Sequence, residues 1–360
     1  MREPLRIAFI NSWYRDAARG SGTAVAINGL AAGIRALGHE VTLVEPRGVP
    51  APSLGRRVAF NLGAGRRLGS ERYSLVVGFD LDGLFVASKV VERYVVSLKG
   101  IAADERRYER GRARRHLWMA GVLEGRNARR ANRVVVTSRY ARDRAVAAYG
   151  LVADAVRIVP EGIPFGFWSE RNGHDLPPRP TVACVARFYP RKNLTTLLAA
   201  MPLVRAAVPD VRLRLVGAGP EEPSLHAQAA SLGLTGAVDF LGAVDDPGRV
   251  RDVYRTASVF CLPSLQEGFG IAFLEAMAAG LAIVGGDAGA VPEVVTHGDV
   301  GYLVPPTDVA AVAGAVIRLL GDPALRSRLG DRGRAHAARY DWPVVAASFL
   351  DAVFQDGAES

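Results

Sequence analysis

Cysteine, lysine and long apolar runs are all scarce in this sequence. Its 360 residues include two cysteines, Cys184 and Cys261, which are too few for a disulfide framework or a cysteine-based metal site. No apolar stretch reaches the roughly 18 residues that a membrane-spanning helix needs. A strand-like run begins almost at the N-terminus, so we expect no secretory signal. We therefore expect a cytoplasmic protein with reduced thiols.

Internal repeats, low-complexity tracts and coiled-coil heptads are also missing from the sequence. With 49% hydrophobic and 22% charged residues, the composition is that of a globular protein rather than a disordered or collagen-like one. The length fits two domains of about 180 residues, each large enough to bury its own core.

The net charge of +9 originates in one segment. Residues 105–144 contain 13 arginines and four acidic residues, whereas the rest of the chain carries 32 basic and 32 acidic side chains. This segment is either a solvated helical face or a surface that contacts an anionic membrane or a phosphorylated acceptor. No binding motif or pattern of stacking aromatic residues accompanies the charge, so no nucleic acid partner is expected.

Short apolar runs alternate with helix-length segments, which predicts an α/β fold whose parallel strands are covered on both faces. Six such runs in each half favour two doubly wound, Rossmann-like domains over an eight-stranded α/β barrel, which twelve strands would overfill. The predicted strands are 5–10, 41–45, 75–79, 94–98, 133–138 and 156–159, then 181–186, 211–216, 237–241, 258–262, 281–285 and 301–304.

The domain boundary is predicted in residues 166–180, a polar segment rich in glycine and proline. Residues 1–165 then form the first domain and residues 166–341 the second. An amphipathic helix at residues 342–356 is expected to pack back on the first domain. Two such domains facing each other across a cleft present the carboxyl ends of both sheets to an anionic, nucleotide-like ligand.

The first strand–helix junction is a candidate phosphate loop. Gly20 and Gly22 bracket a tight turn, and the following helix is predicted to run to about Leu37 and to end at Gly38. Val25 occupies the last glycine position of the dinucleotide-binding fingerprint, and no P-loop lysine follows. The junction is therefore either a simple turn or a phosphate-binding loop.

Two cations follow the first strand of the second half. In the run VARFYPRKN, Arg187 and Lys192 lie in a loop between a buried strand and a helix. Arginine can contact two phosphate oxygens at once and lysine acts as a point charge, so the pair suits a diphosphate. The alternative is a solvated loop with incidental charges.

The most specific segment is LPSLQEGFGIAFLEAMAAG. Its two carboxylates, Glu267 and Glu275, lie before and inside a helix predicted to start at about Gly270. The glycines before that helix expose backbone N–H groups that can bind an anion or sugar hydroxyls. A carboxylate in so apolar a segment needs hydrogen-bond donors, which sugar or ribose hydroxyls would supply. The alternative is a loop acid and a satisfied core carboxylate.

Together with VVVTSRYARDRAVAAYG, VRIVPEGIP, LRLVGAGPEEPSL, VDFLGAV and GYLVPPTD, these motifs resemble the family 4 retaining glycosyltransferases of the GT-B fold. The ordered set covers most of residues 5–310. The resemblance implies a first domain that binds the acceptor and a second domain that binds a nucleotide sugar. It also implies retention of stereochemistry at the glycosidic bond and no requirement for a metal ion or other cofactor.

The resemblance also implies roles for individual residues. Arg187, Lys192 and Glu267 are the implied catalytic residues: the two cations neutralise the leaving diphosphate, and Glu267 holds donor-sugar hydroxyls. Glu275 would accept hydrogen bonds from the ribose, and the backbone at Gly22 would contact the diphosphate. The implied donor-binding residues are Gly22, Lys99, Gly217, Gly219, Val244, Gly268, Phe269, Gly270, Ile271 and Glu275.

The sequence departs from the family pattern at two positions. Lys99 stands where relatives often have a histidine that serves the donor sugar, and Glu161 stands where they commonly have an asparagine. Lysine can bind hydroxyls or a phosphate but does not reproduce a neutral imidazole. Lys99 is therefore either a donor-binding residue or a solvated side chain.

These observations predict a retaining hexosyltransferase that uses a nucleoside diphosphate sugar, with UDP or GDP as the expected nucleotide. The acceptor is not identified: a small natural product, an aminocyclitol, a lipid-linked molecule and a polysaccharide precursor all fit. The alternatives are a nucleotide-sugar epimerase or a glycosidic phosphorylase on the same fold, and a non-catalytic protein that binds nucleotide or lipid. The six histidines form no cluster of the kind an epimerase would need.

Overall fold

The computed structural model describes residues 3–12, 22–46, 53–69, 71–86, 93–170 and 179–355. The chain divides into two units. The first comprises Met1–Gly162 together with Trp342–Ser360, and the second comprises Ile163–Asp341. Among the helices of the described residues, none combines the length and the hydrophobicity that a membrane-spanning helix needs.

The first unit is built on a parallel six-stranded sheet in the order β2-β1-β3-β4-β5-β6. Its central strands are buried along their whole length because helices cover both faces. The strands are β1 (Arg6–Ile10), β2 (Glu40–Val44), β3 (Leu75–Phe79), β4 (Tyr94–Leu98), β5 (Arg133–Val136) and β6 (Val156–Ile158). The helices are α1 (Gly22–Ala36), α2 (Leu54–Arg67), α3 (Ala102–Glu105), α4 (Gly111–Ala128), α5 (Arg139–Tyr149) and α14 (Trp342–Phe354).

Helix α14, which follows the second unit in the chain, packs against α1 of the first unit. Two glycines one helical turn apart make this contact. A Cβ atom on Gly29 would lie 2.0 Å from the Trp342 ring, and one on Gly33 would lie 2.6 Å from the Trp342 carbonyl oxygen. The glycines therefore leave the space that Trp342 fills.

A buried polar network joins the segments that follow β1 and β3. Both carboxylate oxygens of Asp82, which is fully buried, accept hydrogen bonds from the Ser12 hydroxyl, at 2.7 and 2.8 Å. Arg57 and Asn61 of α2 also donate to this carboxylate, at 3.1 and 2.8 Å. Because the strand order reverses between β1 and β3, the network braces the edge where ligands bind in such sheets.

The second unit contains a parallel six-stranded sheet in the order β12-β11-β10-β7-β8-β9, which is the Rossmann order. Its strands are β7 (Thr181–Val185), β8 (Arg212–Val216), β9 (Val238–Phe240), β10 (Val259–Leu262), β11 (Ala282–Gly286) and β12 (Gly301–Val304). Its helices are α6 (Phe165–Ser169), α7 (Leu194–Ala207), α8 (Glu222–Ser231), α9 (Pro247–Arg255), α10 (Ile271–Ala278), α11 (Val291–Val294), α12 (Val309–Gly321) and α13 (Pro323–Ala337).

The predicted fold class is confirmed: both units are doubly wound and Rossmann-like, and every predicted strand is present with bounds that differ by at most two residues. Helix α1 ends at Ala36, and Gly38, two residues further on, has a φ of 87° in the left-handed region that favours glycine. Cys184 and Cys261 are buried free thiols in the core of the second unit.

Candidate functional site

In the second sheet, the strand order reverses between β7 and β10. Open α/β sheets bind ligands beyond the carboxyl ends of their strands, at such a reversal. The loop after β7 carries the two predicted cations, and the loop after β10 carries the first predicted glutamate. The fold therefore places the most specific sequence motifs at this point of the sheet.

Lys192 and Glu267 contact each other directly. The Lys192 ammonium donates to Glu267 Oε1 at 2.6 Å, and the Ser264 hydroxyl donates to the same oxygen at 2.8 Å. The side chain of Lys192 is 15% exposed and that of Glu267 is 7% exposed, so the pair is only narrowly open to solvent. At this edge of the sheet, the Lys192 ammonium can therefore bind an anion while the Glu267 carboxylate accepts a hydrogen bond from a hydroxyl.

Arg187 lies in the same loop as Lys192 and is half-buried. Its guanidinium carbon is 5.8 Å from the centre of the Tyr189 ring, and that of Arg191 is 4.8 Å from the same ring. A guanidinium within about 6 Å of an aromatic ring centre is attracted to the ring face. The loop thus holds both predicted cations, and Lys192 contacts Glu267 directly.

Helix α10 begins at Ile271, directly after Gly270, whose φ of 101° requires a glycine-like backbone. The preceding Phe269 side chain is buried, with its ring centre 5.9 Å from that of Tyr340. The first N–H groups of a helix lack acceptors within the helix. Gly268 and Gly270 therefore bring the chain to a helix start whose N–H groups can meet an anion.

Glu275 lies in the second turn of α10 and has a different partner. The Tyr254 hydroxyl of α9 donates to Glu275 Oε2 at 2.9 Å. Glu275 is half-buried as a residue, and its carboxyl group is enclosed by protein atoms. This burial raises the pKa of Glu275 to about 7, and the hydrogen bond from Tyr254 acts in the opposite direction. Burial therefore makes the protonated form of Glu275 more favourable than that of an exposed glutamate.

Gly217 and Gly219 follow β8 and pack against the loop after β7. Gly217 has a φ of 133°, and a Cβ atom on it would lie 1.8 Å from the Ala186 carbonyl oxygen. A Cβ atom on Gly219 would lie 2.5 Å from the Phe188 carbonyl oxygen. Val244, between β9 and α9, is half-buried. The two glycines thus support the loop that holds Arg187, independently of any contact with a nucleotide.

The predicted residues of the first unit lie beyond β1 and β4. Gly22 is the exposed first residue of α1, whereas Gly20 lies outside the described residues. Lys99 follows β4, and its ammonium is 2.9 Å from Glu161 Oε1 and 3.1 Å from Oε2. Both side chains are nearly enclosed, with 7% and 5% exposure. The two departures from the family pattern are therefore partners in one ion pair.

The structure thus brings Lys192 and Glu267 together within the second unit, while Glu275 and Lys99 have partners of their own. Sequence reasoning missed Ser264, Tyr254 and Glu161 as those partners. Ser264 is three residues from Glu267 in the same loop, so the sequence could have indicated it as a hydrogen-bond partner of Glu267. Tyr254 lies on a different helix, and no local pattern pointed to it.

Parts of the chain are similar to known glycosyltransferases. Residues 167–336 match the family described as glycosyl transferases group 1. The chain is 42% identical over 172 residues to a phosphatidyl-myo-inositol mannosyltransferase of Mycobacterium leprae, covering 47% of this chain and 45% of that protein. It is 36% identical over 230 residues to a GDP-mannose-dependent alpha-(1-6)-phosphatidylinositol monomannoside mannosyltransferase of Mycolicibacterium smegmatis, covering 59% of each. The chain thus spans about half the length of these relatives.

Among solved structures, the fold resembles sucrose-phosphate synthase from Thermosynechococcus elongatus. The TM-score is 0.80 at 22% sequence identity, and the match covers 96% of this chain and 98% of that one. At this identity the likeness establishes the fold alone, which is GT-B. The resemblance found in the sequence is confirmed to this extent: residues 167–336 match glycosyl transferases group 1, and the chain has the GT-B fold.

Proposed function

We propose that this protein is a glycosyltransferase that moves a hexosyl unit from a nucleoside diphosphate sugar to an acceptor hydroxyl. The observation that carries the proposal is the Lys192–Glu267 pair at the strand reversal of a Rossmann-ordered sheet. The unit that contains this pair matches glycosyl transferases group 1, and this match further supports the proposal.

In the proposed reaction, the bond between the anomeric carbon and the diphosphate oxygen breaks, and a bond to the acceptor oxygen forms on the same face. Because the new bond forms on the face that the diphosphate leaves, the configuration is retained, and the acceptor proton passes to the departing diphosphate. Lys192 and Arg187 neutralise the charge that develops on the leaving group. Such electrostatic stabilisation of the transition state is usually the largest single contribution to an enzyme's rate enhancement. No metal ion is assigned a role, so turnover should survive EDTA.

Glu267 is proposed to accept hydrogen bonds from donor-sugar hydroxyls, and Glu275 from the ribose. Backbone N–H groups at Phe269, Gly270 and Ile271 would assist on the sugar and phosphate, and Gly268 remains a proposed donor contact. Gly22, Lys99, Gly217, Gly219 and Val244 remain proposed donor contacts. Because Lys192 already bonds Glu267 Oε1, an arriving diphosphate would share an ammonium that is held in place.

GDP-mannose is the first donor to test, because the relatives are named as mannosyltransferases and one of them as GDP-mannose-dependent. A thermal-shift panel of GDP-, UDP-, ADP- and TDP-sugars would compare bases and sugars. A ligand present at a hundred times its Kd adds about 2.7 kcal/mol to the free energy of unfolding. We expect GDP-mannose to give the largest shift, and a larger shift from a UDP-sugar would reassign the donor.

Release of nucleoside diphosphate with and without acceptor separates the competing functions. A transferase releases it in proportion to acceptor, and NMR of the product's anomeric proton reports retention or inversion. An epimerase converts the sugar without release, and a phosphorylase requires inorganic phosphate. Donor binding without turnover would leave only a non-catalytic binding protein.

An acceptor at an anionic membrane surface is favoured by helix α4 in the arginine-rich segment. Arg112, Arg115, Met119 and Val122 recur every three or four residues along one exposed face, with Arg126 one turn further. Met119 and Val122 are both 45% exposed. A face that is basic and apolar together is typical of a helix lying at a lipid surface. We therefore infer peripheral association with the membrane, and phosphatidylinositol vesicles are the first acceptor to test.

Vesicle binding can separate this face from the overall charge of the protein. Arg115→Ser removes a charge from the exposed face, whereas Arg114→Ser removes the same charge from a different exposed position on the helix. We expect the first change to weaken binding to phosphatidylglycerol vesicles several-fold more than the second. Equal losses would indicate only long-range attraction, and no binding by the unchanged protein would leave a small water-soluble acceptor.

A further inference from the structure

We propose that Asn193 is a positioning residue for the reaction, because it ties three loops together and thereby fixes Lys192 against Glu267. Neither the motifs nor the family match assigns Asn193 a role. The inference rests on the proposed glycosyl transfer, in which Lys192 contacts the leaving diphosphate.

The backbone of Asn193 is in the left-handed region, with φ of 55° and ψ of 40°. This conformation is uncommon outside glycine, and asparagine tolerates it better than most residues. It lies directly between Lys192, which ends a short 3₁₀ turn, and helix α7, which begins at Leu194. The turn thus sets the direction in which the Lys192 side chain leaves the loop.

The side-chain amide of Asn193 is bonded in both directions. Nδ2 donates to the Pro263 carbonyl at 3.0 Å and to the Pro306 carbonyl at 2.6 Å, which lie after β10 and β12. Oδ1 accepts from the Thr196 hydroxyl at 2.9 Å and from the Thr195 hydroxyl at 3.3 Å. Asn193 is only 7% exposed. An enclosed amide with both ends bonded cannot turn without leaving buried groups unpaired.

These bonds close a ring of contacts around the candidate site. Lys192 precedes Asn193 in the chain, the Asn193 amide donates a hydrogen bond to the Pro263 carbonyl, and Pro263 precedes Ser264. Ser264 donates to Glu267 Oε1, which in turn accepts from the Lys192 ammonium. A further bond from the Leu265 N–H to the Arg191 carbonyl, at 2.8 Å, joins the same two loops. The position of the ammonium therefore depends on the Asn193 amide.

The first test measures the exposure of the Lys192 amine without requiring turnover. The chain has only three lysines, so acetylation of each can be followed by mass spectrometry. Asn193→Gly keeps a residue that tolerates the left-handed backbone but removes the amide. We expect it to speed acetylation of Lys192 at least fivefold while Lys99, in the other unit, reacts at its original rate. An unchanged rate at Lys192 would overturn the proposal.

Two further variants keep this test decisive. Thr196→Val removes one hydroxyl that orients the amide, so it should act in the same direction but more weakly, and it serves if Asn193→Gly does not fold. Asp322→Ala removes the side chain that caps α13 by accepting from the Leu325 N–H at 2.8 Å. It is the control for a lost hydrogen bond elsewhere in the unit, and acceleration of Lys192 acetylation in this variant would also overturn the proposal.

Turnover of GDP-mannose then connects the position of Lys192 to catalysis. Asn193→Gly should lower kcat by about 10- to 100-fold, the scale of a small misplacement of a catalytic group, and should change KM much less. In protein that already carries Lys192→Ala, the same change should cost little more, because both changes act through one contact. Fully additive losses would contradict this. If the unchanged protein turns over no sugar nucleotide, the proposed function fails, and the acetylation test still decides the role of Asn193.

Discussion

Each of the two sheets carries a lysine–glutamate pair beyond the carboxyl ends of its strands, and the pairs differ in how completely the lysine is enclosed. In the first unit, Lys99 reaches both oxygens of Glu161, and its side chain is 7% exposed. In the second unit, Lys192 contacts Glu267 through Oε1, and its side chain is 15% exposed. The first pair neutralises itself, whereas the second leaves part of its cation open to a ligand.

This difference separates two uses of the same residue types. In a buried ion pair, each charge compensates the other, so neither is buried without a partner. Such a pair often adds little to the free energy of unfolding. A partly open pair at the strand reversal can exchange its contacts with an incoming diphosphate. We therefore assign Lys192–Glu267 to the donor site, and we expect Lys99–Glu161 to stabilise the first unit in addition to the donor contact proposed for Lys99.

The largest effect is expected when the enclosed pair is broken. Lys99→Met leaves the Glu161 carboxylate buried without its cation, which should lower the free energy of unfolding by about 3–5 kcal/mol. Replacing both residues, in Lys99→Met with Glu161→Leu, should recover most of that loss because no charge remains buried. Urea unfolding followed by circular dichroism measures both effects.

The double variant also tests whether Lys99 binds the donor, as the sequence predicted. With stability recovered, a tenfold rise in KM for the donor would support that role. An unchanged KM would remove Lys99 from the donor site and leave it as scaffold. If the double variant is no more stable than Lys99→Met, the account of the pair as mutually neutralising charges is wrong.

Breaking the open pair should act on catalysis rather than on folding. Lys192→Ala and Arg187→Ala should each lower turnover by about 10²–10³-fold, the scale of losing a preorganised electrostatic contact to a developing charge. Steady-state kinetics with the donor from the thermal-shift panel measures the loss, and circular dichroism checks the fold. Near-normal turnover in either variant would contradict its proposed contact with the leaving diphosphate.

The sequence carried most of the information about the fold and the positions of the motifs. Each strand is a short apolar run, because a strand covered by helices on both faces needs apolar residues at nearly every position. The order of the strands could not be read in the same way. The strand order depends on which apolar runs, far apart in the sequence, pair with each other. Because β1, β7 and their neighbouring strands are similar in composition, composition does not indicate which of them pair.

For the candidate site, the sequence located Lys192, Glu267 and Glu275 but not what they contact. The pairing of Lys99 with Glu161 joins residues 62 positions apart, and that of Glu275 with Tyr254 joins two helices. Such contacts arise from the packing of whole elements, which local spacing does not encode. Asn193 was visible only as the last residue of a motif, because its function depends on carbonyl groups contributed by two other loops.

The smallest effect concerns Glu275, whose pKa is raised to about 7 by burial. If its carboxylate accepts hydrogen bonds from the ribose, the ionised form binds best, so donor affinity should rise about tenfold between pH 6 and pH 8. Glu275→Gln should weaken donor binding more than it changes the preferred sugar, and it should flatten this pH dependence. Tyr254→Phe removes the hydroxyl that favours the ionised form, so the midpoint should move to higher pH. Calorimetric titration with GDP-mannose measures each profile, and a flat profile in the unchanged protein would remove Glu275 from the donor site.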